Sequence, residues 1–220
     1  MKNIVLIIAE MIVSYIILLI LSKKYKTDGI YVYGIISTFL VCIVCLKKIS
    51  IMEVSVPLGF GLTTSIILGG NIITQKRGPS ELKTYYILIL TTFLISCIFI
   101  NLSTLIKNSE YNLIANKSYN NIFQVNLRYY IGLIVSIICS IWISSKLYYL
   151  LKKIQNKIIL SNIFSIIIVE FFESIVFILI AYLFEYQTYD IALCIVFRYI
   201  IKTIIGIIGT IPVYLISKYN

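Results

Sequence analysis

Glu170 and Glu173 lie three residues apart in FSIIIVEFFESIVFILIAYLF, and Arg198 and Lys202 lie four apart in CIVFRYIIKTIIGIIGTIPVYLI. Either spacing puts both members of a pair on one face of a helix. The two segments are joined by a short turn near Gln187, so they run antiparallel. At about 1.5 Å per residue, Glu173 and Lys202 then come to similar heights. An intramembrane charge costs at least roughly 2.5–3.5 kcal/mol at the centre of a span, so four of them in one helical hairpin require a reason. Two readings stand side by side. The charges pair with one another as a structural device, or Glu173, Lys202 and Asn162 build a polar cavity in which carboxylates accept from the N–H groups of a solute.

Several other chemistries are excluded. The chain has no histidine, which removes His-based metal sites, Ser-His and Cys-His proteolysis and the H-E-x-x-H metalloprotease motif. Cys42 and Cys45 form C-x-x-C, but they fall inside an apolar segment with no second pair, and read as lipid-buried thiols. No G-x-x-x-x-G-K-[ST] loop occurs, so any ATP-driven step needs a partner ATPase. The expectation is a non-enzyme without metal or cofactor.

The elements that must position these groups are membrane helices. Of 220 residues, 60% are hydrophobic and 13% charged, with mean hydropathy +1.00, more apolar surface than a single soluble core hides. A span needs about 20 apolar residues. Six candidates are 3–22, 29–46, 84–106, 127–150, 159–184 and 190–217. A seventh, 51–74, is interrupted by Glu53, Pro57 and four glycines and reads as a broken or re-entrant helix. The fold class is thus an all-α integral membrane protein, one polytopic domain over 1–220, with six or seven transmembrane helices. The stretch between the third and fourth clear spans reads as a polar, Asn-rich loop.

Net charge is +10, yet the basic residues are dispersed over short loops, which fits topology and anionic lipid rather than a nucleic-acid partner. Lys23, Lys24, Lys26, Arg77, Lys152 and Lys153 gather on one side, with Lys47, Lys48, Lys107 and Lys117 on the other in a seven-span count. The positive-inside rule puts the C-terminus in the cytoplasm of a multi-pass plasma-membrane protein. Along one helix Arg128, Gly132, Ser136, Ser140 and Ser144 recur every four residues, a small-residue stripe of the kind that packs helices closely. The arginine heading it faces a polar vestibule or snorkels to headgroups.

The run FRYIIKTIIGIIGTIPVYLI, through Tyr199, Lys202, Pro212 and Tyr214, resembles the last helix of the YhhQ-type queuosine precursor transporters, a branch of the vitamin uptake transporter family. The preceding helix is similar through Ser165, Glu170, Glu173, Ser174, Phe177, Ile180, Ala181 and Tyr182, with Glu173 in place of that family's aspartate. Arg128, the basic Leu151-Lys152-Lys153 and the Val56-Pro57-Leu58 tripeptide follow the same order. Thr63 and Thr64, and Ser140 and Ser144, stand where the family has other polar anchors. The resemblance implies a six-helix bundle similar to the substrate-binding subunits of energy-coupling-factor transporters. It also implies import of a small planar base such as a deazaguanine. The local chemistry is compatible with that, and the candidate binding residues are Glu173, Glu170, Lys202, Arg198, Tyr199, Asn162 and Arg128, with Tyr199, Phe177 or Tyr182 stacking on the base.

Overall fold

The computed structural model describes residues 2–51, 54–106, 113–123, 127–183 and 187–219; Glu53 and Lys107 lie outside them. The elements are α1 (Lys2–Val44), β1 (Lys48–Ile51), β2 (Val54–Pro57), α2 (Phe60–Arg77), α3 (Leu82–Leu105), α4 (Leu113–Phe123), α5 (Leu127–Gln155), α6 (Ile158–Tyr182) and α7 (Thr188–Tyr219). Among the described residues, five helices are long and apolar enough to cross a membrane: Asn3–Val44, Leu82–Leu105, Leu127–Gln155, Ile158–Tyr182 and Thr188–Lys218.

The first of these is two arms. At Lys26 the backbone leaves helical space (φ 54, ψ −130). Three residues later the chain has turned so tightly that a β-carbon on Gly29 would sit 2.1 Å from the Leu21 carbonyl oxygen. Only glycine fits there. The sequence places Lys23, Lys24, Lys26 and Asp28 around this bend, polar groups that favour an aqueous turn. Beyond it Tyr33 and Ser37 on the returning arm lie against Ser14 on the outgoing one.

The interrupted segment 51–74 departs from a broken helix. Its first part is the second half of a β-hairpin, with Lys48 paired to Pro57 and Ile51 to Val54. The β-branched Val54 and Val56 favour extended backbone, and Pro57 disfavours helix for the residue before it. Gly59, at φ 94, then takes the left-handed turn that lets α2 begin. From Phe60 to Thr74 every residue of α2 is buried, and the helix packs against α1, α5 and α7. A helix buried on every face belongs in a bundle interior, and its Thr64, Ser65 and Asn71 must find partners there. Its ends are fixed: Arg77 pairs with Asp28 at the bend of α1 (3.3 Å), and Asn3 at the other end of α1 donates to Ser50 of the hairpin (2.9 Å).

A second departure is α4. Residues Leu113–Phe123, expected as loop, form an 11-residue helix, too short to span, whose Tyr119 hydroxyl hydrogen-bonds Ser103 on α3 at 2.6 Å.

Lipid tails offer no hydrophobic gain between helices, so packing and interhelical hydrogen bonds hold the bundle. Tyr15 donates to the Ile205 carbonyl (2.8 Å), Tyr85 to that of Ile66 (2.9 Å), and the Tyr33 and Ser65 hydroxyls hydrogen-bond each other at 2.6 Å. Each is worth about 0.6 kcal/mol in a bilayer, with about 1.7 as a ceiling. The outer faces carry Ile95, Phe99, Phe171, Ile204 and similar residues exposed, as hydrocarbon contact requires.

Candidate functional site

The four charges meet near the middle of α6 and α7, where α2 and α5 close over them. Arg198 takes Glu173 in a fork, Nη2 donating to Oε1 at 2.7 Å and Nε to Oε2 at 3.1 Å. Lys202 Nζ bridges the two acids, 2.7 Å from Glu170 Oε2 and 2.8 Å from Glu173 Oε2. α5 and α2 complete the carboxylate shells: Ser136 donates to Glu173 (3.3 Å) and Thr64 to Glu170 (2.9 Å). The Arg198 guanidinium lies 4.2 Å from the centre of the Phe177 ring and 5.8 Å from that of Phe60, within cation–π range. With all four groups ionised the cluster is neutral.

None of the four is more than 1% exposed, so in this conformation the charges are paired with one another and sealed from water. Desolvation of that size is offset only when each charge has both a counter-charge and hydrogen bonds. The two acids differ in this respect. Among the described residues Glu173 is held by Arg198, Lys202 and Ser136, whereas Glu170 has only Lys202 and Thr64.

Asn162 lies two turns from Glu170 on α6 and belongs to a second, uncharged layer. Its Oδ1 accepts from Asn71 Nδ2 at 2.8 Å and its Nδ2 donates to Thr210 at 3.0 Å. Asn71 Oδ1 in turn accepts from Ser144 (3.0 Å) and Ser145 (3.4 Å). One further turn along, Tyr148 hydrogen-bonds Gln75. Beyond that pair a cleft of about 330 Å³ opens among Thr74, Tyr148, Tyr149, Lys152 and Lys153.

Two of the expected site residues lie elsewhere. Tyr199 is directed outward against the lipid-facing Phe171, ring centres 5.5 Å apart; being next to Arg198 in sequence puts it about 100° round the helix. Arg128 binds the Leu183 carbonyl at 2.9 Å, a group left unpaired at the C-terminal end of α6. Phe177 is at the site but covered by Arg198, and Tyr182 packs behind it at 6.1 Å under the Lys48 ammonium.

Sequence reasoning missed Thr64, Ser136, Phe60 and Asn71. The serine stripe was legible as small side chains, and its hydroxyls prove to be donors as well. Thr64, Asn71 and Gln75 follow helical spacing in a segment whose helix was obscured by its hairpin-forming start; that spacing was the available signal.

Among the comparisons with known proteins, no curated protein and no solved structure matches the chain. A family model described as "Putative vitamin uptake transporter" matches residues 57–216, which takes in α2 to α7 and every member of both polar layers. The chain belongs to the vitamin uptake transporter family.

Proposed function

We propose that the protein imports a small planar heterocycle across the plasma membrane, with a queuosine precursor, a deazaguanine base, as the substrate. The observation that carries this reading is the succession of buried polar layers inside an otherwise apolar bundle. They recur at the cleft by Lys152 and Lys153, at the Tyr148–Gln75 pair, at Asn71 with Asn162, and two turns further on at the four-charge cluster. Structural ion pairing needs no such succession. A planar base offers N–H donors on its rim, and Glu170, held by a single cation and one hydroxyl, is the acid from which a partner is most easily exchanged. Binding replaces Lys202 on Glu170 while Glu173 keeps its fork to Arg198.

Seven passes fit the geometry better than six. The Arg77–Asp28 contact brings the end of α2 to the bend of α1, and the hairpin lies by the N-terminal end of α1. With that count Lys23, Arg77, Lys152 and the C-terminus share the cytoplasmic side. A reporter fused after Asn220 should therefore be cytoplasmic and one inserted at Asn116 external; the reverse pattern would invert the assignment.

The complete pairing of the charges favours a second reading, a structural membrane protein whose cluster never opens. A third arrangement, a substrate-binding subunit similar to those of energy-coupling-factor transporters, requires a partner ATPase. Cells lacking both queuosine synthesis and their own transporter should accumulate labelled deazaguanine base when they express this chain alone. Accumulation only with a co-expressed ATPase module favours the subunit. Purified protein should also melt later with the base, by about 2.7 kcal/mol at a hundredfold excess over Kd. No shift with the base but one with an unrelated vitamin would keep transport and discard the substrate.

A further inference from the structure

Outside the charge cluster, one more carboxylate among the described residues lies within the bundle. Glu10 is two turns into α1, flanked by lipid-facing Ile8, Ile12 and Val13. Its Oε1 accepts the Leu62 N–H at 3.4 Å, and the N–H groups of Gly59 and Gly61 face the same carboxylate. Its Oε2 is buried and has no hydrogen-bond partner. Among the described residues no Lys or Arg reaches it within ion-pair distance.

The approach is built. A β-carbon on Gly61 would stand 2.9 Å from the Met11 Cα, so only a glycine in the first turn of α2 lets the α1 backbone come this close. On the open side of Glu10 a crevice of about 320 Å³ lies between the two arms of α1, with Ser14, Tyr33 and Ser37 as its other polar lining.

We infer that Glu10 is a proton-binding site that couples transport to a proton gradient. The inference rests on the uptake reading above. A metal cation is disfavoured because the amide protons that start α2 point at the carboxylate, and one carboxylate oxygen is a poor ligand set for sodium. A proton needs only the free oxygen. The step is Glu10–COO⁻ plus H⁺ giving Glu10–COOH, with no other bond made or broken.

The ionisable groups facing Glu10 are few. Tyr33 is on the returning arm of α1 and Cys45 just beyond its end. Arg198 and Lys202, which also act on Cys45, are committed to Glu173 and Glu170.

The link to the substrate site is α2. Leu62, which donates to Glu10, is two residues from Thr64, which donates to Glu170. Ser65, the next residue, hydrogen-bonds Tyr33 in the crevice wall. An ionised Glu10 holds the first turn of α2 strongly; the acid accepts more weakly and loosens it, changing how Thr64 meets Glu170. Linkage makes the effect mutual, so substrate binding shifts proton affinity by the same factor as protonation shifts substrate affinity.

The test is Glu10→Gln in proteoliposomes with tritiated 7-deazaguanine. Glutamine still accepts from Leu62, so the fold persists. Exchange of internal for external base at equal pH should persist in the variant but no longer vary with pH. Accumulation driven by an imposed pH gradient should fall by about 5- to 150-fold, the usual range of a coupling free energy. Accumulation that follows a sodium gradient and ignores pH, or a variant that still responds to the pH gradient, overturns the proposal. A second readout is independent of transport. Infrared difference spectra of the purified protein between acid and alkaline pH should contain a carboxylic-acid C=O band that is absent from Glu10→Gln. Loss of all uptake in both proteins with that band intact would reject the substrate and keep the proton site. No titrating band, or one unchanged by the substitution, rejects the proton site.

Discussion

Lys202→Met alone should lower stability by about 3–5 kcal/mol, the usual effect of removing one partner from a buried ion pair. Among the described residues the ammonium is the only cation on Glu170 and one of two on Glu173, so its loss leaves Glu170 without a counter-charge at membrane depth. The compensating change follows from the geometry. Glu173→Gln combined with Lys202→Met would strand Arg198, whose fork is directed at Glu173 and not at Glu170. Glu170→Gln combined with Lys202→Met leaves the Arg198–Glu173 fork intact and the cluster neutral. This second pair should recover most of the loss, since a buried ion pair exchanged for neutral groups of similar volume is often tolerated. Reversible unfolding in mild detergent, followed by tryptophan fluorescence of Trp142, measures both. A single variant within about 1 kcal/mol of wild type, or a Glu170→Gln/Lys202→Met protein as unstable as Lys202→Met, would mean that the cluster is not a closed electrostatic unit.

The charge cluster was legible because its logic is one-dimensional. Helical spacing puts Glu170 with Glu173 and Arg198 with Lys202, and a short turn fixes the relative heights of the two helices. What the spacing does not give is rotation. Tyr199 and Arg198 are adjacent in sequence, yet one is buried in the cluster and the other packs outward on Phe171. Which of them faces inward depends on how α7 meets α2, an interaction between segments well over a hundred residues apart. For the same reason Thr64 and Asn71 stayed hidden, since they matter only once α2 is enclosed. The hairpin 48–57 was obscured differently. A span search looks for apolar length, and Ile49, Ile51, Val54 and Val56 supply apolar character while their β-branching and Pro57 favour extended backbone. The family match over 57–216 begins where that hairpin ends.

The largest functional effect is expected at Glu170. If Glu170 rather than Glu173 reads the base, the two acids should separate by phenotype. Glu170→Gln keeps Lys202 paired to Glu173 and leaves the glutamine carbonyl to accept from Thr64, so the protein should express and melt nearer to wild type than Glu173→Gln does. Glu173→Gln deprives Arg198 of the carboxylate it forks inside an apolar wall of Phe177 and Phe60, and should show the greater loss of folded protein. Uptake should divide the other way per folded molecule. A hydrogen bond to a charged group contributes about 1.5–3 kcal/mol, so losing the carboxylate that receives the base should weaken uptake by about 10- to 100-fold in Glu170→Gln. The defect should appear chiefly in the substrate concentration needed for half-maximal rate, because Glu170 is engaged on binding rather than in the closing of the bundle. Initial rates of labelled deazaguanine uptake, normalised to folded protein by size-exclusion fluorescence, measure the split. Normal half-saturation in Glu170→Gln with a defect confined to Glu173→Gln would transfer the reading role to Glu173 and make the exchange of Lys202 from Glu170 unnecessary.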